Sequence, residues 1–333
     1  MNKILKHNTN NYHIVPTLLK IALAVLLFSG CAVSKPFQLV LLPDTQVYSE
    51  RFPEVFDAQT QWIARNADSI TFVLHQGDIT NRNTDEQWQN AANAIKYLEG
   101  KVPFTFVGGN HDLGETGSAN TRDSELMNKH LPYNKYSKFK EFGGAYETGK
   151  MDNTWYTFKA GGLKWLILSL EFGPRNKILD WAGKIIEQHP SHKIIINTHA
   201  YMFSDNTRIS IGRGHSWVPQ NYGVGKMTGE DTTNDGEMMW EKLVSQYPNI
   251  IMVVSGHVLN SGTGRLISQG KYGNKVYQML GNYQMGEKGG NGFLRILLID
   301  TKKQKISVRA YSPFVNQNNI NPEHQFEFND VKF

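Results

Sequence analysis

The chain is poor in the features that settle many proteins at a glance. It has one cysteine, Cys31, in 333 residues. That excludes both a disulfide framework and a structural zinc site built on cysteines. It has no dominant charge. Lys and Arg number 35 against 30 Asp and Glu, and Lys3, Lys6 and Lys20 fall in residues 1–30, which hold no acid. Without that stretch the balance is +2, too small to track the backbone of a long nucleic acid. After residue 30 there is no apolar run long enough to cross a bilayer. The 40% hydrophobic and 20% charged residues exclude a disordered chain and leave a folded domain with a sizeable core.

The N-terminus reads as an address. Three lysines precede the apolar run Ile21 to Phe28, which is followed by Ser29, Gly30 and Cys31. A basic segment, a short apolar run and small residues form the plan of a secretory signal. The string Leu27-Phe28-Ser29-Gly30-Cys31 resembles a bacterial lipobox, with Phe28 unusual within it. The resemblance implies cleavage before Cys31 and lipid on its sulfur, so that residues 1–30 are a signal peptide and 31–36 a lipidated linker. The alternative is a buried or incidental cysteine after an ordinary signal peptide. Ala32 follows, with no Asp to direct inner-membrane retention. The expectation is therefore a cell-envelope protein attached to the outer membrane by its lipid alone.

From residue 37 onward, strand and helix patterns alternate. Phe37–Leu42, Ile70–Leu74 and Val102–Val107 are short apolar runs of the kind found in buried strands. Between them, Glu54–Arg65 and Asp85–Leu98 carry apolar residues at helical spacing, and Thr84 with Gln87 forms a capping-box pattern. Later strands are expected at Leu163–Leu170, Lys193–Asn197, Ile250–Val254, Val276–Leu280, Phe293–Ile299 and Ile306–Ala310. Helices are expected at Asn176–Gln188 and Glu237–Gln246. This order argues for an α/β domain over 37–333 with no internal linker. Two long polar stretches, Leu113–Asp152 and Tyr201–Asn234, are of a length that is usually functional or mobile.

Ligand-type side chains recur directly after the expected strands. They are Asp44 and Gln46, then Asp78, then Asn110, His111 and Asp112, then His199, then His257. Strand C-terminal ends of an α/β sheet gather on one side, where ligands bind. Carboxylate, amide and imidazole together suit Mn, Fe, Zn or Mg. A Gly-Asp after a strand is by itself more often a turn, and a lone His more often structural. In this order, however, the set resembles the calcineurin-like metallophosphoesterase family, whose motifs run Asp-x-His, Gly-Asp, Gly-Asn-His-Asp or Glu, a lone His, then Gly-His-x-His. The run Gly109-Asn110-His111-Asp112 is the most specific element, and the resemblance covers about Leu39 to Asn260.

The resemblance implies a sandwich of two mixed β-sheets flanked by helices, an α/β/β/α arrangement. It implies two divalent ions about 3.5–4 Å apart that clamp a phosphate and activate the attacking hydroxide. It places Asp44, Gln46, Asp78, Asn110, His199 and His257 as metal ligands, with Asp78 bridging. It makes His111, held by Asp112, the acid that protonates the leaving alkoxide, and offers Arg82 as the cation for the phosphoryl oxygens. A solvated loop charge is nearly as good an account of Arg82. A phosphorylated small molecule or glycan is the expected substrate.

The sequence departs from the family pattern twice. Gln46 stands where the family has His, and Leu259 stands where the last motif has its second His. Both losses fall on one metal, so that site is expected to be weak or oxygen-rich, with Asn260 as a stand-in if the loop shifts. A Pro-Asp-Thr-Gln opening is also a feature of a bacterial and fungal branch of the family. Strand alternation turns His75 away from Asp78, as a structural residue. His215 belongs to a Gly-rich loop. Tyr201, Phe203, Trp217 and Tyr222 form either a platform for rings or ordinary loop packing. Gly281-Asn282-Tyr283-Gln284 follows a strand near the rim of the expected site. The function expected is hydrolysis of a phosphomonoester or phosphodiester. The alternatives are a nucleotidase or nuclease of the same fold, and a non-catalytic surface lipoprotein that keeps one metal and binds a glycan or protein.

Overall fold

The structure is a computed structural model that describes Met1 and residues 34–333. The expected leader, its cleavage site and Cys31 lie outside the described residues. The first sheet takes in β1 (Phe37–Leu42), β2 (Ile70–His75) and β3 (Phe104–Thr105), which run parallel. Helices α1 (Gln46–Arg51), α2 (Pro53–Arg65) and α3 (Asp85–Ile95) fall between them in sequence. After α4 (Glu125–His130) and α5 (Tyr133–Tyr136) the chain builds a second sheet from β4 (Phe142–Ala145), β5 (Thr154–Ala160), β6 (Leu163–Leu170), β7 (His192–Thr198), β8 (Ile250–Ser255), β9 (Thr263–Gln269) and β10 (Lys275–Gly281). Helix α6 (Asn176–Gln188) links β6 to β7, and α7 (Gly236–Lys242) precedes β8. The chain then returns to the first sheet with β11 (Leu294–Asp300), β12 (Lys305–Ser312), β13 (Gln317–Asn319) and β14 (Phe326–Phe328).

The order in the first sheet is β13-β12-β11-β1-β2-β3, with β14 also on β12; in the second it is β4-β5-β6-β7-β8-β10-β9. Both sheets are mixed. β11 is antiparallel to β1, while β6, β7, β8 and β10 are parallel to one another within a frame of antiparallel strands. The side-chain period of two explains the layering. Leu39, Leu41, Phe72 and Leu74 meet Ile167, Ile195, Met252 and Met279 between the sheets. Their neighbours Val40, Leu42 and Val73 pack outward on Val55, Phe56, Trp88 and Ala91 of α2 and α3. Ile194, Ile196 and Val253 do the same on Ile178, Leu179 and Ala182 of α6. Strands covered on both faces have no polar side, which is why they read as continuous apolar runs. This is the expected α/β/β/α sandwich.

The differences from expectation are local. The third strand is two residues long rather than Val102–Val107. Pro103 can offer only its carbonyl, which accepts from Val73 N, and the chain leaves the sheet after Thr105 for Gly108-Gly109. The helix begun at Asp85 tightens to 3-10 geometry over Lys96–Leu98, and the one near Glu237 ends at Lys242 with a 3-10 turn beyond. Thr84 accepts from Gln87 N, but the Gln87 side chain does not return to Thr84. It accepts from Asn81 N and Arg82 N instead, and so caps the loop that carries the site. Strands β5 and β9 escaped the sequence reading because they alternate in burial and sit toward sheet margins.

Candidate metal centre

Five turns at the strand ends meet in one place. Asp44 follows β1, Asp78 follows β2, Asn110 and His111 follow β3, His199 follows β7 and His257 follows β8. Among the described residues, Asp78, His199 and His257 bring one ligand atom each to within 4.8 Å of one another. All are buried. Close approach depends on glycine at the supporting positions. A Cβ on Gly109 would lie 2.1 Å from Asp78 Oδ1, and one on Gly256 would lie 2.3 Å from Asp44 Oδ2. Asp78 and His257 themselves hold left-handed backbone, at φ 48° and 74°. Such strain in non-glycine residues persists only where the surroundings impose it, and it clusters at functional sites.

The proton positions decide what the cluster can hold. His199 Nδ1 lies 2.8 Å from the carbonyl of Gln76, which can only accept, so Nδ1 carries a proton and, in the neutral ring, Nε2 is bare. His257 Nε2 lies 2.7 Å from the carbonyl of Trp217, so its Nδ1 is bare. The two bare nitrogens face each other at 3.1 Å. Asp78 Oδ1 and Asn110 Oδ1 each stand 3.2 Å from His199 Nε2. Four acceptors converge with no donor among them. Metal-binding imidazoles are held this way, the far N–H on a carbonyl and the near nitrogen free. The donor set therefore fits a divalent cation. Without one, a proton is the substitute. Burial opposes charge on His199, but the Asp78 and Asp44 carboxylates outweigh it and raise this ring to about 9. Asp78 is held below the usual carboxylate range: burial opposes this, and His199 and His111 overcome it.

Asp44 and Gln46 lie on the other flank. The Asp44 carboxylate accepts from His257 N at 3.1 and 3.2 Å, and burial, reinforced by Asp78 against the pull of His199, raises it to about 8. Gln46 opens α1; its Nε2 donates to Asn81 Oδ1 at 3.4 Å, and its Oε1 is buried without a partner. That orphaned oxygen and the Asp44 carboxylate are the acceptors available to a second ion. Leu259 supplies none. Asn260 is exposed and donates to Ser204 Oγ at 3.0 Å, so it does not stand in for the missing histidine.

Two expected roles need correction. Asp112 does not hold the His111 ring. Its carboxylate accepts from Ile79 N, Thr80 N, Thr80 Oγ1 and Gly109 N at 2.7 to 2.9 Å, clasping the Asp78 turn to the Asn110 turn. The His111 ring is held by Asn81 O, 2.8 Å from Nδ1, and His111 N donates to Asp78 Oδ1 at 2.9 Å. Arg82 is not brought to the cluster either. Its side chain is 70% exposed and its Nε is paired with Glu50 at 3.1 Å.

His75 is structural, as its place on the strand required. Its Nδ1 accepts from Gly77 N, and its Nε2 meets Thr45 Oγ1 at 2.9 Å. Tyr201 is fully buried with its hydroxyl on Gln278, so it belongs to no platform. Phe203 stacks on His215 at 4.0 Å. Tyr222 stands edge-on to Phe172, whose ring packs 5.3 Å from His257 and 5.8 Å from His199. Phe172 was missed in the sequence, as was its support. Arg122 donates to the Phe172 and Gly173 carbonyls and pairs with buried Glu171 at 3.3 Å. No spacing signal marks these residues, because they reach the site from a polar stretch and the end of β6.

Two consequences are measurable. Asp112→Asn turns an amide toward backbone donors that needed an oxygen, and buried donors left unpaired cost about 1–3 kcal/mol each. Urea unfolding is expected to show a loss of that order or more; an unchanged midpoint would contradict the clasp. His75 is lowered by burial, with His199 adding, from 6.5 to about 3. The unfolded chain therefore binds the extra proton between these values, and stability falls as pH drops from about 6.5 toward 3, by up to about 1.4 kcal/mol per unit. His75→Gln should flatten that part of the profile in unfolding midpoints measured against pH.

Comparison with known proteins agrees with this geometry. Residues 37–261 match the calcineurin-like phosphoesterase family. The chain is 28% identical over 291 residues to the uncharacterized protein YvnB of Bacillus subtilis (strain 168), covering 85% of this chain and 20% of that protein. It thus spans about a fifth of the length of the curated relative it matches. The fold resembles the purple acid phosphatase PPD1 from yellow lupin (Lupinus luteus) with a TM-score of 0.54 at 15% identity, over 89% of this chain and 54% of the other. The chain belongs to the calcineurin-like phosphoesterase family, and the sandwich and metal centre described above are its metallophosphoesterase domain.

Proposed function

We propose that this protein hydrolyses a phosphomonoester or phosphodiester outside the cytoplasm, held to the envelope by lipid on Cys31. The observation that carries the reading is the convergence of His199 Nε2, His257 Nδ1, Asp78 and Asn110 with no donor between them. Asp44 and the unpartnered Gln46 Oε1 extend that acceptor set toward a second ion. Divalent ions held there would supply Lewis acidity, which makes water nucleophilic near neutral pH and offsets charge on phosphoryl oxygens. The protein's own part is placement and proton handling. Asp78 Oδ1, tied to His111 N, keeps the metal-binding carboxylate and the His111 turn in one register. His111 keeps one proton on Nδ1 against Asn81 O, so its partly exposed Nε2 is the atom that can carry a second proton to a leaving alkoxide. The Asp112 clasp fixes both turns before substrate arrives. Phe172 packs on both imidazoles, with Tyr222 edge-on behind it.

Envelope attachment rests on the Leu27–Cys31 string and on the leader before it. Among the described residues no helix is long and apolar enough to cross a membrane. Tethering by acyl chains is compatible with that.

Purified protein stripped with EDTA is expected to lose turnover of a simple aryl phosphate or bis-aryl phosphate and to regain it with Mn, Mg or Zn. Asp78→Asn and His111→Ala should each reduce the restored rate by about a hundredfold or more. Folded, metal-loaded protein that turns over neither ester would favour the reading as a glycan- or protein-binding lipoprotein, to which the Leu259 substitution already points. Cys31→Ser should move the protein from the detergent phase to the aqueous phase in a phase-partition experiment; retention in detergent would contradict lipidation.

A further inference from the structure

The metal centre occupies the end of the sandwich where β1, β2, β7 and β8 finish. At the opposite end, where β2, β6 and β7 begin and β5 finishes, lies an open groove of about 670 Å³. Pro103, ahead of β3, lines it from the first sheet, and His192, which opens β7, from the second. β7 runs from His192 to Thr198 and His199 follows it, which puts about 23 Å of extended chain between the groove and the metal centre.

The groove is basic. Lys140, Lys159 and Lys164 line it against a single acid, Glu141. All three lysines are exposed. Lys129, Lys135 and Lys177 elsewhere on the surface are each paired with a carboxylate, but Lys140, Lys159 and Lys164 have no such partner among the described residues. Lys159 and Lys164 stand directly opposite each other on β5 and β6. Like charges facing across a strand pair repel, and an anion between them turns that repulsion into binding. Ammonium groups on mobile stems along an open groove suit a layer of phosphates better than one fixed ligand.

The chain enters the domain at this same end. Ser34 Oγ lies 2.8 Å from Thr301 Oγ1, which donates to Gly161 O at 2.6 Å. A Cβ on Gly162 would lie 3.5 Å from Ser34 Cβ. Gly161 and Gly162 fall in the turn between Lys159 and Lys164. Cys31 precedes Ser34 by three residues, which holds their Cα atoms within about 11.4 Å. Lipid on Cys31 would therefore join the domain beside these lysines and away from the metal centre.

We infer that the end of the sandwich carrying Lys140, Lys159 and Lys164 lies on the membrane, and that their ammonium groups meet the phosphates of anionic lipid headgroups. This rests on the envelope attachment proposed above and adds a direction to it. The metal centre is held at the far end, about 23 Å from the headgroups, and is turned toward solution rather than toward bilayer lipids. Each lysine near an anionic bilayer is worth about fivefold in partition, and the attraction fades within a Debye length.

The test uses the full-length protein purified from membranes, on vesicles of phosphatidylcholine alone or mixed with phosphatidylglycerol. Acetylation of each lysine by an amine-reactive reagent is followed by mass spectrometry. Phosphatidylglycerol is expected to slow acetylation of Lys140, Lys159 and Lys164 by about fivefold or more, and to lose this effect in high salt. Lys226 and Lys288, exposed on other loops, should be unaffected. In the double variant Lys159→Glu, Lys164→Glu, both exposed positions, the protection of Lys140 should disappear. Equal acetylation of the three lysines on both vesicles, with the protein still bound, would overturn the surface and leave lipid attachment standing. Protein that sediments only with phosphatidylglycerol vesicles, with the three lysines protected, would sustain the surface and sink the lipid anchor. Protection by soluble heparin but not by phosphatidylglycerol would make the groove a site for a polyanionic glycan and overturn the membrane assignment.

Discussion

Two bare imidazole nitrogens, 3.1 Å apart in a buried site and accompanied by a carboxylate and an amide oxygen, make an arrangement that cannot stand without positive charge. The rest of the fold can be read as the apparatus that imposes it. The carbonyls of Gln76 and Trp217 fix the tautomers. The first comes from the end of β2 in one sheet and the second from the long loop before α7, so the ring orientations depend on both halves of the chain. The inter-sheet core keeps those halves together, with Leu39, Leu41 and Phe72 packed among Ile167, Ile195 and Met252. Apolar burial in this layer thus supports a polar cluster that is electrostatically costly on its own.

The centre is asymmetric, and the asymmetry has a structural form. On one flank, imidazoles, amide and carboxylate supply a complete nitrogen and oxygen set. On the other, Asp44 and Gln46 supply oxygens, and Leu259 and Asn260 turn to other work: one lines a cleft, and the other bonds Ser204. Oxygen ligands would suit a harder ion than imidazoles do.

Much of this was legible in the sequence for simple reasons. Strands buried on both faces advertise themselves as apolar runs, and helices α2, α3 and α6 as apolar stripes, because burial dictates both patterns. The candidate ligands were legible because they follow strand ends by one to three residues, as Asp44, Asp78, His199 and His257 do. What was not legible depended on contacts between distant segments. Asp112 looked like the partner of its neighbour His111, yet its four bonds reach the Asp78 and Gly109 turns. Arg82 was offered as a phosphate ligand, yet Glu50 of α1 pairs with it. Phe172 and its Arg122 support carry no local pattern, and β5 and β9, partly exposed along their length, form no continuous apolar run.

The central claim is that this cluster is a cation site with its inner nitrogens unprotonated. Anomalous X-ray scattering from crystals grown with Mn or Zn tests it most directly. The account predicts a peak about 2.0–2.2 Å from both His199 Nε2 and His257 Nδ1, with Asp78 and Asn110 oxygens completing the shell. A refined structure with no peak there, and with His199 and His257 instead joined by a hydrogen bond through a shared proton, would contradict it.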